Sequence, residues 1–422
     1  MKIRDMFGKI KQIKVFKMNV DEKLKFLDKS RGLLTNIFII AVVLIVFVSS
    51  FYQFRSKQVI LLPINSPKKL TDQGYDGATA TNLMLGKLNQ IRYKARTNLP
   101  ASFMSSLNDR EVDIEVEGIS LRKIIRYIKG YIGDKDIYVR GSIYQDSDKY
   151  VFVVLVDGRE IATLSNSHAK LDDLMQAAAE KVMEVTSPYI LARYYSNADE
   201  PDYEKVSTQV INVLAHPPKD DDYWAINLLG NTLYNQERFA EAEGKYREAF
   251  QLAKSHGNDF VVAQANLVAA ILHQDKLDEA ENLINQAIEK DPEYYYSYFV
   301  KGMIFDYQHN SQESIKWLQK SLDKNPLDAD SYYQLARVYW DDFNDGYKAR
   351  EYLEISIALY NEFGYPGRAV RSIYWIGDIY ESESEFKKEL QLYEKAIIKY
   401  ANAKYLNLIK TRLAEIRSFV DE

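Results

Sequence analysis

Five histidines, His168, His216, His256, His273 and His309, are the side chains best suited to acid–base or metal chemistry, and the chain has no cysteine. None of the five has a second histidine or a carboxylate at a zinc-motif spacing, so the pattern argues against a metal site. Without cysteine there are no thiolate ligands or disulfides, which is compatible with either redox compartment. Gly77 to Lys87 (GATATNLMLGK) ends in Gly-Lys behind a strand-like run. A phosphate-cradling loop needs four residues between its glycines and Ser or Thr after the lysine. Here eight residues intervene and Leu88 follows, and the apolar spacing is that of a helix. No G-x-S-x-G, H-E-x-x-H or paired-carboxylate pattern occurs elsewhere. The acidic run Asp220-Asp221-Asp222 precedes a helix, where it suits the positive end of the dipole. These residues predict no enzyme and no cofactor. They direct attention to side chains that bind rather than react.

Tyrosine is the conspicuous binding residue, with 32 copies, many in the C-terminal half. Its ring packs while its hydroxyl still finds a partner, which suits grooves and interfaces. What positions these rings depends on the organisation of the chain. Its 422 residues imply two or three domains, and 46% hydrophobic with 27% charged residues is an ordinary folding balance. The net charge of -5 is uneven: residues 1–32 hold ten Lys/Arg against four Asp/Glu, so the remainder is strongly acidic. An acidic body is a poor match for a phosphate backbone, so nucleic acid is not an expected partner.

Leu33 to Tyr52 (LLTNIFIIAVVLIVFVSSFY) carries no charge, and Ile37 to Val48 has no polar side chain. Twenty helical residues reach about 30 Å, the thickness of a hydrocarbon core. A core helix apolar on every side would need a large surrounding domain, and a cleaved signal peptide would need a shorter basic region. The segment 33–54 is therefore read as one uncleaved transmembrane helix in contact with lipid. Ten basic residues precede it and four follow closely (Arg55, Lys57, Lys68 and Lys69), which predicts a cytoplasmic tail, 1–32, and an extracytoplasmic body. In the tail, Ile3, Met6, Phe7, Ile10 and Ile13 fall at helical spacing among lysines, a pattern that suits an anionic membrane surface or simply a basic topology signal.

Residues 58–195 form the next unit. Val59–Ile64, Val112–Val116, Ile137–Tyr144, Tyr150–Val156 and Glu160–Leu164 read as strands. Asp76–Ile91, Ser120–Ile132 (Ser120 as N-cap) and Leu171–Val185 read as helices. The order β-α-β-α-β-β-β-α predicts an α+β sandwich with helices on one sheet face. The run Val59-Ile60-Leu61-Leu62-Pro63 and the later Tyr138-Val139-Arg140-Gly141-Ser142-Ile143 resemble the N-terminal domain of TolB and related periplasmic domains. Such domains precede tetratricopeptide repeats in many bacterial chains.

Small residues recur at Gly230, Val268, Gly302, Ala336 and Gly377, at spacings of 38, 34, 34 and 41. A period of 34 is that of a two-helix tetratricopeptide unit. Ala242, Ala280, Ser314 and Ala349 follow where a second small residue is needed, and Pro292 and Pro326 close helices. On these residues 203–422 is similar to the tetratricopeptide repeat family: about five hairpins and a capping last helix, an all-α solenoid. Val268 and Glu389 depart from the pattern, so the second and fifth units are expected to pack less tightly.

The resemblance implies a superhelix with a concave groove that binds a protein or peptide segment, lined by positions 2, 5, 9 and 12 of each first helix. Those positions give Asn227, Asn231, Tyr234, Phe299, Met303, Tyr333, Arg337, Trp340, Arg371 and Tyr374 as peptide-binding residues. Trp224, Tyr296 and Asp378 stand at groove positions too, and the second unit offers only Val262, Ala265, Ala269 and Leu272. First-turn residues such as Trp224 and Tyr296 also suit contact with the preceding unit. Aromatic residues and arginine dominate binding hot spots, and asparagine can hold an extended backbone. The lysine clamp that some family members use for a C-terminal carboxylate is absent. The expected function is that of a membrane-anchored scaffold. The alternative is a signalling component that couples the body to a cytoplasmic partner through residues 1–32.

Overall fold

The computed structural model describes residues 58–96, 103–106, 115–116, 119–120, 136–147, 149–166, 171–198, 200–215, 222–401 and 403–420. The tail and the segment 33–54 lie outside the described residues. Among the described residues no helix is long and apolar enough to cross a membrane.

The chain divides into two compact units. The first begins with β1 (Gln58–Leu61) and α1 (Lys68–Asp72) and takes the start of α2 (Gly77–Ala95). It also holds β2 (Phe103–Ser106), the small antiparallel pair β3 (Glu115–Val116) and β4 (Ile119–Ser120), and most of β5 (Ile137–Asp146). With β6 (Lys149–Val156) and β7 (Arg159–Asn166) the strands form one sheet in the order β2-β1-β5-β6-β7, with β1 parallel to both neighbours. Buried Val59, Leu61, Val139 and Ile143 share one face of this parallel core, and Ile60 is buried on the other. On either side of Pro63, backbone bonds from Leu62 N to Val139 O and from Asn65 N to Gly141 O (both 2.9 Å) carry the pairing onward. Asp157 and Gly158 both take positive φ (49° and 80°) in the two-residue turn before β7, as a hairpin with matched twist requires.

Two expectations change. Ser120 lies in β4 rather than capping a helix, and residues 121–132 lie outside the described residues. Strand β2 (FMSS) was not foreseen, because four residues with little alternation carry almost no periodic signal. Gly77 and Lys87 lie within α2, so no phosphate loop forms there; a Cβ on Gly77 would stand 2.7 Å from the Ile64 carbonyl oxygen.

The second unit is mostly helical. After α3 (Leu171–Thr186), α4 (Pro188–Ser196) packs against α5 (Tyr203–Leu214) as a hairpin ahead of the expected repeats. Five further hairpins follow: α6 (Tyr223–Asn235) with α7 (Phe239–Ser255), α8 (Val261–Leu272) with α9 (Leu277–Lys290), and α10 (Tyr295–Tyr307) with α11 (Ser311–Lys324). Then come α12 (Ala329–Asp341) with α13 (Gly346–Glu362) and α14 (Pro366–Ser382) with α15 (Phe386–Lys399), before a last helix, α16 (Leu406–Val420).

Each hairpin turns in the same way. Glu237, Asp275, His309, Asn344 and Ser384 take left-handed φ of 50–61° between the paired helices. The next amide reaches back to a carbonyl of the first helix, as Arg238 N does to Leu233 O and Asn310 N to Phe305 O. In the fourth hairpin Asp345 N reaches Tyr339 O, one residue further back, which places the inserted residue in that turn.

Helix contact within each hairpin is set by a size exchange. A Cβ on Gly230 would stand 2.5 Å from the Tyr246 ring, and one on Gly302 2.8 Å from Leu318 Cγ. One on Gly377 would run into the Tyr393 hydroxyl. Val268 has no such vacancy to offer its partner helix, and it and Ile284 are both fully buried in one apolar cluster. The two helices of the second hairpin, and those of the fifth, approach each other less extensively than those of the other three, as the departures at Val268 and Glu389 predict.

Candidate functional site

The first helices of the hairpins, with α4 and the segment before α16, enclose a cleft of about 860 Å³. Of the residues named from sequence, Asn231, Tyr234, Phe299, Met303, Tyr333, Arg337 and Arg371 line it, as do Ala269 and Tyr296. Tyr296, Phe299 and Met303 also pack on the apolar core beneath, and the Tyr296 and Phe299 rings stack at 5.4 Å. They form an apolar floor whose shape is fixed by packing.

Three of the named residues do not line this cleft. Asn227 is buried, its Oδ1 taking a bond from Asn266 Nδ2 (3.1 Å), so it braces the wall from behind. Trp340 packs against the cluster of Ala336, Leu353, Ile376 and Ile379, where the following hairpin covers it. Tyr374 stacks on Tyr393 within its own hairpin, at 6.5 Å and 15°. Trp224 sits edge-on to Phe260 (4.5 Å) and fills the joint between the first two hairpins. Val262 packs on the same cluster, while Ala265 and Leu272 are core residues. Asp378 is outside the lining, its pKa pushed up to about 6 by burial and by Glu381.

Other lining residues were missed. Asn266, Gln334 and Trp375 stand at position 6, one turn from positions 2 and 9, and His273 at position 13. The spacing that singled out positions 2, 5, 9 and 12 extends to these neighbours on a 3.6-residue helix, so the signal was present. Arg193, Tyr365, Arg368 and Tyr405 come from segments outside the helical period.

The polar wall is bonded together before any ligand arrives. Asn231 Oδ1 accepts from Tyr246 Oη (2.8 Å) and Asn266 Nδ2 (3.2 Å). Tyr234 Oη and His273 Nε2 lie 3.0 Å apart, and Phe239 stacks on the imidazole at 4.1 Å. Burial holds the His273 pKa below its usual value and the Tyr234 phenol above its own. The pair is thus neutral near pH 7. Arg368 Nη1 donates to both Asp330 oxygens (3.0 and 2.9 Å), and Tyr360 Oη donates to Asp330 Oδ1 (2.6 Å). At one rim the Arg96 guanidinium lies over the Tyr365 ring (4.3 Å), and the Arg96 carbonyl accepts from Arg193 Nη2 (3.3 Å). Among the described residues no group of three or more His, Asp or Glu side chains could hold a metal ion.

This is the geometry of a tetratricopeptide-type solenoid, and the chain carries tetratricopeptide repeats: residues 267–329 match the tetratricopeptide repeat family model. A mouse protein, Protein O-mannosyl-transferase TMTC3, is 27% identical over 155 residues, covering 33% of this chain and 16% of that protein. The chain thus spans about a sixth of that relative's length. Among solved structures, TTC0263, a tetratricopeptide protein of Thermus thermophilus, is 18% identical at a TM-score of 0.38, covering 46% of this chain and 98% of its own. The human IFIT1 dimer with PPP-AAAA is 17% identical at a TM-score of 0.45, covering 58% and 59%. Cut9 with Hcn1, of the APC/C, is 14% identical at 0.43, covering 59% and 47%.

Proposed function

We propose that this chain is a membrane-anchored scaffold that binds a segment of another protein in the concave cleft of its repeat array and acts by binding alone. Tetratricopeptide repeats mediate protein–protein interactions in general. The observation that carries the reading is the cleft itself: an apolar floor of Tyr296, Phe299 and Met303 beside a wall of arginine, tyrosine and amide side chains, contributed by successive hairpins. A long groove of this composition suits an extended segment, whose side chains alternate between floor and solvent. The anchor at 33–54 and the extracytoplasmic placement rest on the apolar run and the Lys/Arg asymmetry around it.

The test is affinity capture from native membranes with the full chain, beside a variant carrying Phe299→Ala, Met303→Ala and Arg337→Glu. The reading expects a specific protein held by the wild type and lost by the variant while its helical content and melting stay intact. Equal capture by both would place binding elsewhere.

A further inference from the structure

Four side chains on α12 and α14 interleave along the cleft wall. The Arg371 guanidinium lies 4.4 Å from the Tyr333 ring centroid, Tyr333 meets Trp375 edge-on at 6.4 Å, and Arg337 lies 5.8 Å over Trp375. All four line the cleft. A guanidinium whose face rests on a ring keeps its N–H edge for an acceptor, and the stacking fixes its orientation in advance. Arg337 has a distant partner, Asp341, at 3.6 Å. Arg371 makes no ion pair or hydrogen bond with any described residue, and its Nε is buried without an acceptor.

The charge of the cleft runs against that of the chain. The whole protein carries -5, yet the lining holds Arg193, Arg337, Arg368, Arg371 and Lys404 against a single acidic residue, Asp330. Asp330 is already engaged by Arg368 and Tyr360. That pair also shows which anion this wall accommodates: a planar carboxylate held by a guanidinium.

We propose that the cleft selects an extended acidic protein segment, one of whose Asp or Glu carboxylates seats on the Arg371 guanidinium edge beside Arg337. Apolar side chains next to that carboxylate reach the Phe299 and Met303 floor. The carboxylate is the chosen anion because the same wall already seats one, Asp330, on the guanidinium of Arg368. This inference rests on the groove reading and adds the class of ligand to it.

The test titrates three labelled peptides into the full-length protein in detergent, followed by fluorescence anisotropy. In the first, Glu alternates with Leu and Tyr; in the second Gln replaces Glu, and in the third phosphoserine does. The Glu peptide is expected to bind roughly tenfold or more tightly than the Gln peptide, as one charge-assisted contact implies. Arg371→Gln should abolish that preference and Arg371→Lys recover part of it, with melting unchanged in both. Equal binding of the Glu and Gln peptides, both weakened by Phe299→Ala, would overturn the acidic preference and leave the groove reading standing. Tighter binding of the phosphoserine peptide would overturn the choice of carboxylate. Failure of all three peptides to bind would overturn the ligand class, while the capture experiment still decides on the groove.

Discussion

Replacing Glu389 by glutamine should remove a pH-dependent weakness from the fifth hairpin. Glu389 occupies the place where the other hairpins carry Ala242, Ala280, Ser314 and Ala349, and its side chain is fully buried. Neither carboxylate oxygen has a hydrogen-bond partner. The nearest cation is Arg412 on α16, with Nε 3.4 Å away, and Arg412 also pairs with Glu381 and with Glu415 (2.8 Å). Burial dominates over that shared attraction and lifts the Glu389 pKa from 4.5 to about 7. A carboxyl whose folded pKa lies above its unfolded value contributes its full stability below about pH 4.5, and this is lost as pH rises through about 7. The size of the rise corresponds to on the order of 3 kcal/mol between the two limits. In a unit of this size that is a shift in melting temperature of roughly 5–10 °C. Melting of wild type and Glu389→Gln from pH 5 to pH 8, followed by circular dichroism, isolates the effect, since Asp378 and Asp328 titrate in both proteins. The two should melt together at the acid end and separate toward pH 8, with the variant more stable. A constant gap across the range, or a variant that loses stability toward pH 8, would refute the reasoning.

Three other perturbations follow from the packing and the cleft wall. Gly302→Ala forces a methyl against Leu318 Cγ, 2.8 Å from the ideal Cβ position, and should cost about 1–3 kcal/mol in urea unfolding, whereas Gly244→Ala meets nothing within 4 Å and should not. Asp330→Asn takes the charge from the acceptor of Arg368 and Tyr360, so stability should fall by about 1–3 kcal/mol at pH 7. Arg96→Ala removes the guanidinium from the Tyr365 ring; amide exchange at the start of α14 should quicken by the equivalent of about 0.5–1 kcal/mol while the global melt stays in place.

The helical array was legible because its determinants are local. A small residue recurring near every 34 positions, with a second small residue twelve further on, encodes two helices in close approach. The same logic held where the pattern is broken: with Val268 or Glu389 in place of a small residue, the paired helices meet less extensively than in the other three hairpins. Which side chains face the cleft was only partly legible. A groove position read from one helix does not reveal whether the next hairpin covers it, as happens to Trp340, or whether a neighbouring amide captures it, as Asn266 does Asn227. The contribution of Arg96 and Arg193 comes from residues far outside the period, so no spacing could point to them. The strands after Asp136 showed in their β-branched runs and in the Asp157-Gly158 turn, whereas β2 pairs through its backbone with little side-chain pattern to announce it.

Site-resolved photocrosslinking in native membranes bears most directly on the central claim that the cleft is where a partner protein is held. A photoreactive phenylalanine analogue would replace Met303 on the cleft floor in one protein and Ile398, 83% exposed on α15, in another. The account predicts that the Met303 position crosslinks one stretch of a partner chain, that an added excess of the Glu peptide suppresses the product, and that the Ile398 position gives none. Crosslinking of the same protein from Ile398 with nothing from Met303 would contradict it.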